Sequence, residues 1–157
     1  MSQPPLDELY QEAILEHFRH SRNRGRVENP DIVAEGANPL CGDELTLTAR
    51  LEDGRLREIR FDGQGCAISQ ASASMLAEAL EGRTPAEAAE LARRFKDYLL
   101  SPTPVALPGD LTELAAFHGL RKLPIRAKCA LLGWHVLLEG LKQIAVPDAS
   151  SPAKSEL

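Results

Sequence analysis

An α+β fold, with a small three-stranded antiparallel sheet and helices packed on one of its faces, is predicted by three features of this 157-residue chain. Leu45, Leu47, Ala49 and Leu51 alternate with Thr46, Thr48 and Arg50, the period of a half-buried strand. Asp53-Gly54 supplies a two-residue hairpin turn before Leu56, Ile59 and Phe61. From Ser69 onward the apolar residues recur at helical spacing. Strands first and helices afterwards make a layered α+β domain, in which an antiparallel sheet buries one face.

The elements follow in order. Leu6, Leu9, Tyr10, Ala13, Ile14, His17 and Phe18 form an apolar stripe at the 3.6-residue period, predicting a helix over 6–18, with Pro4 and Pro5 placed before it at no cost. Residues 19–30 carry Arg19, His20, Arg22, Arg24 and Arg26 and close on Asn29-Pro30, so they read as a basic loop, either a solvated turn or a docking patch for an acidic partner. Asp31 to Asn38 adds a strand, and the hairpin occupies 44–62. Ser69 is the expected N-cap of the next helix, with Ala71, Met75, Leu76, Ala79 and Leu80 on its face and Gly82 ending it. Thr84-Pro85 starts another helix carrying Ala88, Leu91, Ala92, Phe95 and Leu99. Three prolines between 102 and 108 mark a loop, and Asp110 is the expected cap of a short helix reaching Phe117. The last helix follows Pro124 and presents Ala127, Ala130, Leu131, Trp134, Leu138 and Leu141. One domain over 1–145 and a loose tail over 146–157, rich in Ser, Pro and charge, complete the expected organisation.

Composition excludes several classes. Hydrophobic residues are 43% and charged residues 26%, which is ordinary globular usage rather than that of a disordered chain. The net charge of −5 opposes general nucleic-acid binding, which needs a basic face. No apolar run approaches the ~20 residues that cross a bilayer, so no membrane is expected. The first residues lack the basic start and apolar core of a signal peptide, so the expected compartment is cytoplasmic.

Three cysteines, Cys41, Cys66 and Cys129, are the informative residues. An odd count without any CxxC argues against both a disulfide framework and a local zinc ribbon. Each lies at a special backbone position. Cys41 is followed by Gly42 and Asp43 just before the hairpin. Cys66 sits between a strand and a helix, and Cys129 lies in the first two turns of the last helix. Helix N-termini favour a thiolate, and Arg126 and Lys128 add positive charge beside Cys129. Three thiolates with the Asp43 carboxylate form a four-ligand set suited to tetrahedral zinc. Because one ligand is a harder carboxylate, either a ligand can exchange and free a cysteine to react, or the metal merely pins loop to helix. Three small buried hydrophobes are the bland reading of the same residues.

Weaker signals fail. Gly63 and Gly65 begin a dinucleotide fingerprint that Ile68 breaks. His17 falls within an apolar stripe and reads as a packed histidine. His118 and His135 have no ligand spacing, Trp134 reads as core, and nothing pairs a particular His with a Cys for hydrolysis.

Asn38-Pro39-Leu40-Cys41-Gly42-Asp43, Gly63 to Met75 and Arg126-Ala127-Lys128-Cys129-Ala130 closely resemble the motifs of the NifU/IscU/SufU-like iron–sulfur cluster assembly proteins. Leu9-Tyr10, Ile14 to His17, Arg22 to Gly25 and Gly109 to Leu111 fit as well, so the resemblance covers about residues 6–140. Lys128, where IscU-type members place a His, and the stretch 101–119 resemble the SufU branch. The resemblance implies a SufE/NifU-like fold and zinc on Cys41, Asp43, Cys66 and Cys129. It also implies sulfur transfer from a PLP-dependent, SufS-type cysteine desulfurase onto Cys41, with Arg126 steadying the departing thiolate and downstream assembly proteins receiving the sulfur. The alternative it implies is a scaffold holding iron or a transient iron–sulfur cluster at the same residues.

Overall fold

The computed structural model describes residues 6–144, with side chains from Gln11 onward; the expected tail over 146–157 lies outside the described residues. The order is α1 (Leu6–Arg19), β1 (Ile32–Asn38), β2 (Asp43–Glu52), β3 (Arg55–Gln64), α2 (Ala67–Leu80), α3 (Pro85–Leu100), a 3-10 segment (Gly109–Lys122) and α4 (Pro124–Leu141). The strands form one antiparallel sheet in the order β1-β2-β3. Register pairs Ala34 with Leu47 and Leu47 with Phe61, which places one apolar residue from each strand side by side on the buried face. A bulge between Arg50 and Leu51 shifts the pairing, the reason the alternation breaks down towards Leu56.

Helices α2 and α4 cover that face. Behind them, Phe95 of α3 meets Trp134 of α4 at 5.1 Å and Phe117 of the 3-10 segment at 6.2 Å between ring centroids. Trp134 is buried as expected, and its Nε1 donates to Ser72 Oγ at 3.0 Å, so its polar end is satisfied. Helix α1 lies further out, chiefly on α2 and the 3-10 segment. His17 is the packed histidine predicted. Its Nδ1 bonds Ser74 Oγ at 2.7 Å, and its Nε2 lies 2.9 Å from Glu113.

The basic stretch after α1 closes the free edge of β3. Phe61 N donates to Asn23 O and Gly25 N to Phe61 O, while the Arg24 guanidinium stands 5.0 Å above the Phe61 ring and donates to Gln70 Oε1. Two expected caps are corrected. The N-cap of α2 is Cys66, not Ser69: the chain is still extended at Cys66, and the thiol sulfur accepts Ser69 N–H. The 3-10 segment starts from Pro108, which has no side-chain acceptor, and Asp110 pairs instead with Arg83 at 2.8 Å. Thr84 caps α3 as predicted, in a reciprocal box with Glu87.

Candidate metal centre

Three separate backbone features converge at one end of the sheet. The β1–β2 turn carries Cys41 and opens β2 with Asp43; Gly42 takes φ +70°, a conformation that favours glycine. The exit of β3 carries Gly65 at φ +155°. A Cβ there would collide with the Asp43 carboxylate and stand 2.8 Å from Ser69 Oγ, so only glycine lets the strand turn into α2 this close to Asp43. Cys66 follows as the N-cap. The first turns of α4 bring Cys129 in from the far side of the chain.

These features bring ligand atoms of Cys41, Asp43 and Cys129 within 4.8 Å of one another. The Cys41 and Cys129 sulfurs are 2.8 Å apart. Asp43 is 1% exposed, and its Oδ1 accepts Cys66 N–H at 2.8 Å. That bond orients the carboxylate and leaves Oδ2 towards the thiols. Cys66 stands just outside the triplet: its sulfur lies 3.9 Å from Asp43 Oδ2, engaged as the cap of α2. Arg126 is exposed in the first turn of α4, and Lys128 is half-buried in the same turn as Cys129. Sequence reasoning missed Asn38. Asn38 is buried, and its Nδ2 lies 3.8 Å from Cys129 Sγ. Its place at the head of the first cysteine motif was the only signal.

The electrostatics of the site favour a neutral Cys129 in the absence of a cation. Burial pushes the Cys129 thiol well above its usual pKa, and the hydrogen bond to Cys41 and the charges of Cys66 and Asp43 push it the same way. Without a counter-ion, a Cys129 thiolate beside the Asp43 carboxylate is strongly disfavoured. A divalent ion reverses that balance, and sulfur with carboxylate is a donor set that zinc accepts. Two sulfurs on one zinc lie roughly 3.7 Å apart; Cys41 and Cys129 stand closer, at 2.8 Å, so the Cys41 turn at Gly42 must give for an ion to enter. The residues therefore fit a metal.

The same chain matches the family described as NifU-like N terminal domain over residues 9–130. The chain belongs to that family. Among its relatives, the zinc-dependent sulfurtransferase SufU of Bacillus subtilis is 38% identical over 136 residues, 87% of this chain and 91% of that protein. The iron–sulfur cluster assembly scaffold protein IscU of Thermotoga maritima is 35% identical over 88% of this chain and 96% of that one. A crystal structure from Fervidobacterium islandicum, described as an iron–sulfur cluster assembly scaffold protein for the SUF system, superposes with a TM-score of 0.78 at 32% identity. It covers 87% of this chain and 99% of that one. The three-stranded sheet with its helices is thus the NifU-like fold, and the chain is a member of the iron–sulfur cluster assembly family. Among the described residues, no helix is long and apolar enough to cross a membrane.

Proposed function

We propose that this NifU-like protein is a zinc-dependent sulfurtransferase that takes sulfane sulfur from a SufS-type cysteine desulfurase onto Cys41 and passes it to downstream assembly proteins in the cytoplasm. One observation carries the reading: two sulfurs 2.8 Å apart differ in access, with Cys129 fully buried and Cys41 half-exposed on a turn. Of that pair only Cys41 is open to a partner, and Cys66, which is also half-exposed, has its sulfur engaged as the cap of α2. Next to Cys41, Leu40 is 68% exposed, and Ile125, whose carbonyl is 3.9 Å from Cys129 Sγ, is 57% exposed. An apolar rim around a reactive group suits protein docking.

Cys41, Asp43, Cys66 and Cys129 are the residues that would hold zinc. When bound, the ion keeps the thiols deprotonated at neutral pH. The chain's own groups do the rest. Asp43, fixed by Cys66 N–H, holds a permanent negative ligand. Cys129 stays in the interior, while Cys41 swings on the Gly42 turn. Its thiolate attacks the outer sulfur of the desulfurase persulfide; a new sulfur–sulfur bond forms at Cys41, the old one breaks, and the desulfurase leaves as a thiolate. No net oxidation occurs. Arg126, exposed one turn from Cys129, supplies the positive charge that steadies the freed Cys41 thiolate.

Cys41→Ser tests this. We expect it to keep its fold and lose at least nine-tenths of the stimulation of a cysteine desulfurase measured by sulfide release. Full stimulation by that variant overturns the role. The scaffold reading rests on the names of relatives such as the Thermotoga protein. Lys128 weighs against it, because an ammonium group has no lone pair to offer iron. Anaerobic reconstitution giving a stoichiometric, transferable cluster would favour the scaffold.

A further inference from the structure

We infer that Asn38 is a positioning residue that holds the Cys129 sulfur as the retained ligand and thereby makes Cys41 the one that exchanges. This rests on the metal–thiolate reading above. Asn38 closes β1 and is 6% exposed. It touches the site three times. Its Cα is the register partner of Asp43 across the β1–β2 pair. Its carbonyl accepts Cys41 N–H at 3.1 Å, which sets the turn that carries Cys41. Its side-chain Nδ2 reaches Cys129 Sγ at 3.8 Å, a separation that sulfur's large radius allows. One residue thus links the segments supplying three of the four candidate ligands.

The contacts of the two sulfurs differ in kind. Near Cys129, Ile125 presents a carbonyl, which accepts and does nothing for a negative sulfur. Among the described residues, Asn38 supplies the side-chain N–H donor directed at it. An amide N–H aimed at a buried thiolate draws on its charge, lowers its nucleophilicity and fixes its direction, the work of an outer shell around a metal ligand. Cys41 receives only a backbone constraint from Asn38: its amide is tied and its sulfur is not. The result is an inner sulfur held by an amide donor beside a half-exposed outer sulfur that Asn38 does not hold. An asymmetric pair is what ligand exchange at one cysteine requires.

The test uses the zinc-loaded full chain without desulfurase. The rates at which iodoacetamide modifies Cys41 and Cys129 are followed by mass spectrometry, alongside zinc affinity by chelator competition. The wild type is expected to react at Cys41 first. Asn38→Asp keeps the size and replaces the N–H donor with a charge that repels the thiolate; Asn38→Leu removes the donor and fills the space. Both are expected to reduce the Cys41-to-Cys129 rate ratio at least tenfold and to weaken zinc binding about 10–100-fold, with unchanged circular dichroism. Asn38→Gln, which retains an amide, is expected to recover part of the ratio. A structural role alone would lower stability without moving the ratio. Wild-type ratio and affinity in folded Asn38→Asp overturn the inference. Should the variants not fold, the wild type decides by nuclear magnetic resonance. The Asn38 side-chain amide proton is expected to shift and to exchange more slowly on zinc loading, and no change overturns the inference. A wild type that binds no zinc removes the metal reading itself and this inference with it; zinc binding with labelling insensitive to residue 38 removes only the role of Asn38.

Discussion

At the hairpin-turn end of β2 and β3, every notable donor meets oxygen. Glu81 Oε2 accepts from Asn23 Nδ2 and from Ile59 N–H, both at 3.1 Å. Leu56 exchanges backbone bonds with Arg83 and Gly82, and Thr84 and Glu87 cap each other. At the opposite end, where Asp43 opens β2 and Gln64 closes β3, sulfur joins oxygen among the acceptors: the Asp43 carboxylate takes Cys66 N–H, the Cys66 sulfur takes Ser69 N–H, and burial pushes the pKa of the Cys129 thiol up. The first end is complete as folded. The second gathers three potential metal ligands, Cys41, Asp43 and Cys129, at one point. The contrast shows where this fold stores stability and where it keeps unfinished chemistry.

The largest way to break the contrast is Gly65→Ala. The methyl meets the Asp43 carboxylate at a backbone angle that L residues resist. We expect a loss of about 3 kcal/mol in urea unfolding, together with loss of bound zinc by elemental analysis. Glu81→Ala attacks the complete end. The buried Ile59 N–H loses its partner, so stability should fall by about 1–3 kcal/mol while zinc content stays at the wild-type value. Thr84→Ala is smaller, about 1 kcal/mol for the lost cap, again with zinc unchanged.

The smallest effect is one of pH. The Thr84 backbone N–H bond holds the Glu87 carboxyl below the usual carboxylate range. A depressed folded value stabilises above the ordinary pKa, and the gain is lost as pH falls through the folded one. Wild type should therefore outlast Glu87→Gln at neutral pH in thermal unfolding, and the gap should close as the solution turns acid.

The sequence displayed some of these features more plainly than others. The Thr84-Pro85 start and the Asp53-Gly54 turn were legible because their signals are local. Serine is the common cap acceptor, which points to Ser69, yet the strand exit at Gly65 leaves Cys66 in that place. The cap at Asp110 failed because Arg83, distant in the chain, claims its carboxylate. The basic run after α1 gave no hint that Arg24 would lie over Phe61.

The sequence by itself determined the order of strands and helices, the three cysteines and the glycines that let the chain turn beside them. Periodicity and turn chemistry act over a few residues, so they survive in a linear reading. Only the tertiary structure decided that Cys41 and Cys129, 88 positions apart, would lie side by side with Asp43, that Cys66 would stand a step aside as a helix cap, and that Asn38 would face the buried sulfur. Those facts depend on how α4 seats across the sheet, and long-range packing leaves no periodic trace in the chain.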